Sequence, residues 1–444
     1  MRFLSSFPGL RRFTLGFAFV TLALMLALTA CGGPSTGGGS QATTTTGPVT
    51  LTYWSWIGGM DQQVALFNKA HPDIHVKVVN VGAGPVEYNK LYTAIKANNT
   101  PDVAQVEYQL LPTFETTGGL LDIAPYGAAS VKNDFANWTW PQVTNGSSIY
   151  AIPQDSGPMA LFYRADIFKK YNLPVPTTWS QYADDAAKLH AANPTAYITD
   201  FPPRNPGEFS GYAWQAGAHW FGINGQSWNV SLNDAPTQQV ASYWQDLISK
   251  KLVKTDADFV NGWFHDLDTG VLATWLTGAW GSGVLEGNAP HTSGDWRVAP
   301  LPQWQAGGAI NGDWGGSTTV VFKDTKYPQQ AATFAEWISA DEQSAEQEFK
   351  GGAYPALLSA LNSTTINSPQ PFFGNQVIND VFKQGATEVN ENFTWGPTMN
   401  QVYSDMSDKF ANAANGQGTL SDALNGVQQS TLTFMKSQGF SVSS

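Results

Sequence analysis

Two tryptophans stand two residues apart in the run LTYWSWI (51–57), just before Gly58-Gly59. In an extended strand, residues two apart share a face, so Trp54 and Trp56 are expected to point the same way. Large indoles ahead of a glycine turn either pack a core or present a flat surface to a ring-shaped partner. An indole covered by an apolar ring face buries about 100 Å², worth roughly 2.5 kcal/mol before ordering costs. Trp280, after Gly278-Ala279, and Trp314, between Asp313 and Gly315-Gly316, have similar settings. Glu107 and Tyr108 follow the short apolar run VAQV (103–106) and add a carboxylate acceptor and a phenol. Together these residue types suit reversible capture of a molecule with an apolar face and a hydroxyl rim. Trp179, Trp244 and Trp337 lie within helical patterns and read as packing.

Other chemistries find little support. The six histidines show no HExxH or comparable ligand spacing, and Cys31 is the only cysteine, so no cysteine metal cluster and no intrachain disulfide can form. No metal and no cofactor is expected. Apart from Arg2, Arg11 and Arg12, the chain carries 20 basic and 35 acidic residues, a net charge near −15. That balance excludes nucleic acid and an anionic membrane surface as partners, since both select basic patches.

The elements that must position these residues read as α/β. VTLTYWSW, IHVKVVNV and VAQV are strand-like, and helical spacing over DQQVALFNKA and at Tyr88, Leu91, Tyr92 and Ile95 separates them. Strands joined through single helices predict parallel pairing in an open, doubly wound sheet. Ligands of such sheets sit beyond the carboxyl ends of the strands, where Trp54, Trp56, Glu107 and Tyr108 fall. Thr178-x-x-Gln181 predicts a capping box for the helix carrying Tyr182, Ala186 and Leu189. Val240, Tyr243, Trp244 and Leu247 mark another amphipathic helix.

The first 30 residues join a basic start to an apolar stretch and read as an export signal, ending in Leu28-Thr29-Ala30-Cys31-Gly32. That ending resembles the bacterial lipobox, which implies cleavage before Cys31 and acylation of its thiol. Residues 31–48 then form a lipidated cysteine and a flexible Gly/Ser/Thr tether reaching roughly 20–25 Å.

Several segments, in order, resemble the family 1 extracellular solute-binding proteins, the sugar receptors of ABC importers. They are YNKLYTAIKANNTPDVAQVEYQLLPTFETTGGLLDIAPY, GSSIYAIPQDSGPMALFYRADIFKKYNLPVPTTWSQYADDAAKL, ATWLTGAWGSG and GGSTTVVFKDTKYPQQAATFAEWISADEQSAEQEFKGGAYPAL. The resemblance implies a two-lobed periplasmic-binding-protein-like fold, each lobe a central sheet flanked by helices, with a ligand cleft between them. Lobe 1 would comprise 49–155 and 298–345, and lobe 2 would comprise 156–297 and 346–444, with crossings near 155–160, 295–298 and 345–358. It further implies that Trp280, as a Gly-x-Trp strand end, and Trp395 face the cleft. Asp155, in YAIPQD, matches the family's hinge-side acid, and Glu208, opening EFSGYAWQAGAHWFG, matches a second-lobe ligand segment. The site set is therefore Trp54, Trp56, Glu107, Tyr108, Asp155, Glu208, Trp280, Asp313, Trp314 and Trp395. Some relatives carry charged residues where this chain has Trp54 and Trp56, which implies more stacking and less charge. The expected protein is a monomeric, non-enzymatic, lipid-anchored receptor outside the cytoplasm, with a carbohydrate ligand and an ABC permease as partners. A secreted glycoside hydrolase using two of these acids, or the same fold binding a polyamine, are the alternatives.

Overall fold

The computed structural model describes residues 47–443. Cys31, the export signal and most of the tether lie outside the described residues. Strand β1 (Val49–Trp54) buries Val49, Leu51 and Tyr53, while Thr50 is exposed. The helix Met60–Ala70 follows, then β2 (Ile74–Val79), the helix Pro85–Ala97 and β3 (Val103–Glu107). A hairpin of β4 (Thr144–Asn145) and β5 (Ser148–Ile149) precedes β6 (Ala151–Pro153) and β7 (Met159–Arg164). A second hairpin, β8 (Phe221–Asn224) and β9 (Ser227–Val230), lies between the helices Pro206–Gln215 and Ala235–Ser249. The later strands are β10 (Thr274–Gly278), β11 (Trp296–Pro300), β12 (Ser317–Val321) and β13 (Val442–Ser443).

The first lobe is built on a five-stranded sheet in the order β2-β1-β3-β12-β6. As the strand–helix alternation predicts, β1 pairs in parallel with both β2 and β3. The strands β12 and β6 run antiparallel to their neighbours. The parallel rule holds only where one crossover helix joins adjacent strands, and β12 enters this sheet on a return from the other lobe. The second lobe's sheet, β10-β7-β11, is antiparallel throughout for the same reason. Behind the first sheet, Tyr53, Phe67 and Phe334 meet edge to face, with centroids 5.2 and 5.0 Å apart. The helix Trp179–Ala192 has half of the expected capping box. Thr178 Oγ1 accepts the Gln181 N–H at 3.2 Å, but the Gln181 side chain accepts from Thr177 instead of Thr178. The helices Met399–Ala414 and Leu420–Ser437 pack on each other and against second-lobe helices. Among the described residues no helix is long and apolar enough to cross a membrane.

Strand β1 ends at Trp54, two residues before the expected end. The buried Gln105 of β3 ends it: its Oε1 accepts from Ser55 Oγ at 2.8 Å and from the Trp56 N–H at 3.1 Å. Trp56 therefore lies beyond the pleat and does not share a strand face with Trp54.

The chain passes between the sheets at 154–158 and again at 301–316. The second passage lies downstream of the expected 295–298, because residues 296–300 are β11, paired along β7. The passages are bonded to each other. Asp155 Oδ1 accepts the Ser317 N–H, and Asp313 Oδ1 accepts the Gly157 N–H at 2.8 Å. The Trp314 N–H donates to the Gly157 carbonyl at 2.9 Å. A third segment joins them, with Ser156 N–H donating to the Tyr354 carbonyl at 2.8 Å. Glycine is required at 157, where a Cβ would stand 1.9 Å from the Trp314 carbonyl oxygen. Gly157→Ala is therefore expected to lower the urea midpoint by an overpacking cost of about 1–3 kcal/mol. An unchanged midpoint would mean that the passages can shift aside.

Candidate functional site

Two adjoining cavities open where the sheets face each other. The inner one, about 620 Å³, is walled by Trp56, Gln105, Glu107 and Asp155 on the first-lobe side and by Phe259 and Trp280 on the second. The outer one, about 640 Å³, has Tyr88, Asn89, Arg204, Asn400, Tyr403 and Ser404 among its walls. Both share Glu107, Asn205 and Trp314, which form the waist between them.

Each wall is fixed by its element. The Trp56 ring stands edge-on to Tyr88, with centroids 5.7 Å apart. The Tyr88 hydroxyl donates to Glu107 Oε2 at 2.6 Å, so the helix Pro85–Ala97 orients a carboxylate at the end of β3. Trp280, just past β10, donates its indole N–H to the Trp314 carbonyl at 2.6 Å, and the rings meet edge to face at 5.0 Å. Trp314 rides on the second passage itself. Its indole lies against the helix Pro206–Gln215 at Gly207, where a Cβ would come within 2.6 Å of Trp314 Nε1.

The electrostatics are one-sided. None of the residues walling the inner cavity is basic. Burial raises the Glu107 carboxyl, with the Tyr88 hydrogen bond opposing. Burial pushes Asp155 up to about 7, opposed by the bonds from Ser317 and reinforced by the charge of Glu107. Asp313 is raised well above the usual carboxylate range by burial, partly offset by the Gly157 N–H and reinforced by Asp155. Glu348, buried in the helix Glu342–Lys350, is raised by burial and by Asp155.

Of the residues singled out from sequence, the structure brings Trp56, Glu107, Asp155, Trp280 and Trp314 together at the inner cavity. Trp54, the last residue of β1, packs half-buried against the core and does not line it. Tyr108 is buried with its ring 5.8 Å from Trp138. Glu208 is buried within the second lobe, where it accepts the Tyr212 hydroxyl. Asp313 bonds one passage to the other. Trp395 lines a separate pocket of about 270 Å³ beside the β8–β9 hairpin, edge-on to Trp214 and Phe393. Sequence reasoning passed over Gln105, which looks like any strand residue, and Phe259, which sits in an aperiodic loop. Tyr88 showed only as part of a helical stripe.

Residues 53–345 match the profile of the family described as bacterial extracellular solute-binding proteins. The chain belongs to that family. Among characterised relatives, the lactose-binding protein of Rhizobium radiobacter is 24% identical over 358 residues, 76% of this chain and 82% of the relative. Among solved structures is a Bifidobacterium animalis subsp. lactis ABC-transporter binding protein in complex with β-1,6-galactobiose. It has a TM-score of 0.79 and 30% identity, over 89% of this chain and 99% of that one. The galacto-N-biose/lacto-N-biose I-binding protein of Bifidobacterium longum gives a TM-score of 0.81 at 29% identity, over the same shares. The two-lobed α/β architecture of this solute-binding protein is thus that of its relatives.

The raised carboxyls set a pH dependence. The unfolded Asp155 carboxyl ionises near the ordinary 3.8, whereas the folded one keeps its proton to about 7. Between these values the folded state holds the extra proton, so stability falls as pH rises through the window. Glu107, Asp313 and Glu348 act in the same direction. The urea midpoint of the ligand-free protein should therefore fall from pH 4.5 to 7, and less steeply in Asp155→Asn. A midpoint that climbs over that range would contradict the assignment.

Proposed function

We propose that this protein is a lipid-anchored receptor outside the cytoplasm. It binds a sugar or short oligosaccharide between its lobes and passes it to the membrane-spanning subunits of an ABC importer. One observation carries the reading: an inner cavity walled by Trp56, Trp280 and Trp314 that also holds Glu107 and Asp155 and no basic residue. A pyranose has an apolar C–H face for an indole and a rim of hydroxyls for carboxylates. Two or three stacks of roughly 2.5 kcal/mol each, with hydrogen bonds and after ordering costs, approach the about −8.2 kcal/mol of micromolar affinity. The disaccharides carried by the two Bifidobacterium proteins support this ligand class, and the transporters named with them support delivery to an importer.

In this reading the chain catalyses nothing. Ligand settles on one lobe, and the lobes then close by rotation within 154–158 and 301–316. The energy of closure comes from contacts that the other lobe makes only with ligand present. Cys31 carries the lipid, and the tether keeps the body near the permease. The protein acts as a monomer.

Intrinsic tryptophan fluorescence, titrated with mono- and disaccharides including β-1,6-galactobiose and lacto-N-biose, tests the proposal. Saturation at micromolar sugar, with the sugar recovered intact, is the expected result. Consumption of the sugar would make the protein a glycosidase, and silence across the panel would move the ligand to another solute class. Trp56→Ala should weaken binding about ten- to thirtyfold, the loss of one stacked ring face. Trp54→Ala should leave affinity unchanged; equal losses from the two variants would contradict the geometry of the β1 end.

A further inference from the structure

Phe259 combines features that packing alone does not explain. Its backbone lies in the left-handed region, with φ of 54°, a conformation costly for a bulky side chain. The residue is 41% exposed although its ring borders a core, with the buried Trp263 and Trp275 rings 5.3 and 5.9 Å away. The ring lines the inner cavity beside Trp280, 6.2 Å away and inclined by 31°. The preceding residue is tied down as well: Asn205 Nδ2, at the waist of the cleft, donates to Asp258 Oδ2 at 2.5 Å. A strained backbone persists only where its surroundings fix it, and here they hold an apolar ring out over a cavity.

We propose that Phe259 is the second-lobe jaw of an aromatic clamp, covering the face of the bound ring opposite to Trp56. This rests on the reading of the cleft as a sugar site. Trp56 belongs to the first lobe and Phe259 to the second, so both faces of a ring are covered only when the lobes are closed around it. Phe259 therefore sets how long the ligand stays rather than how fast it arrives, since its contact forms after encounter. An anchored ring also loses little freedom on binding, which favours its use as a clamp.

The test compares wild type with Phe259→Gly, which keeps the left-handed backbone and removes the ring, and with Phe259→Tyr, which keeps the ring. Calorimetric melting of ligand-free protein and stopped-flow dissociation of a disaccharide are measured for each. Phe259→Gly should release the sugar at least tenfold faster, bind it correspondingly more weakly, and melt no lower than wild type because glycine relieves the backbone. Phe259→Tyr should stay within about threefold of wild type in dissociation. Wild-type dissociation from Phe259→Gly would overturn the clamp. A ligand-free Phe259→Gly that melts several degrees lower would also overturn it, making the ring a core element. If wild type ignores every saccharide, the sugar reading falls, and the melting comparison still decides whether Phe259 is held out for a ligand.

Discussion

Two buried carboxylates, one on each passage between the lobes, accept backbone N–H groups across the joint: Asp155 from Ser317, the first residue of β12, and Asp313 from Gly157 of the other passage. Much of the cleft depends on this exchange. It draws the passages so close that residue 157 has no room for a side chain and Gly315 and Gly316 adopt positive φ. It also seats Trp314 at the waist shared by the two cavities. Burying carboxylates is costly unless they are bonded or neutral. The structure does both, because each accepts an N–H group and burial raises both carboxyls.

The same arrangement gives the cleft its polarity. Its inner part carries aromatic rings and carboxyls, and its outer part adds the hydroxyls of Tyr88, Tyr403 and Ser404. Glu107 belongs to both and is oriented by Tyr88 from a different element.

How much of this was legible in the sequence depended on what each signal measured. The parallel pairing of β1, β2 and β3 followed from periodicity and crossovers, because both are local. Trp56 could be picked out from its place before a glycine pair, but its supposed shared face with Trp54 could not survive Gln105, whose amide ends the strand from the neighbouring β3. Glu208 read as a ligand contact, because the segment it opens resembles a second-lobe ligand segment. The helix Pro206–Gln215 is in fact buried along its whole length, and a short amphipathic segment gives no warning of that. Asp155 stood out through its resemblance to a hinge-side acid and Asp313 through its place beside Trp314, but the N–H group opposite each is set only by the fold. Phe259 left no trace because a left-handed phenylalanine in an aperiodic loop has no sequence signature of its own.

The bond from the Trp280 indole to the Trp314 carbonyl has an evolutionary side. With its one donor already committed to the protein's own backbone, Trp280 can offer a guest only its ring face, and it reads no hydroxyl pattern. Divergence toward a new solute can then proceed through Glu107, Asn205 and the outer wall while this indole stays put. Substitution at Trp280 would disturb the joint before it altered the menu. Mechanics and recognition thus drift under separate constraints within a single cavity.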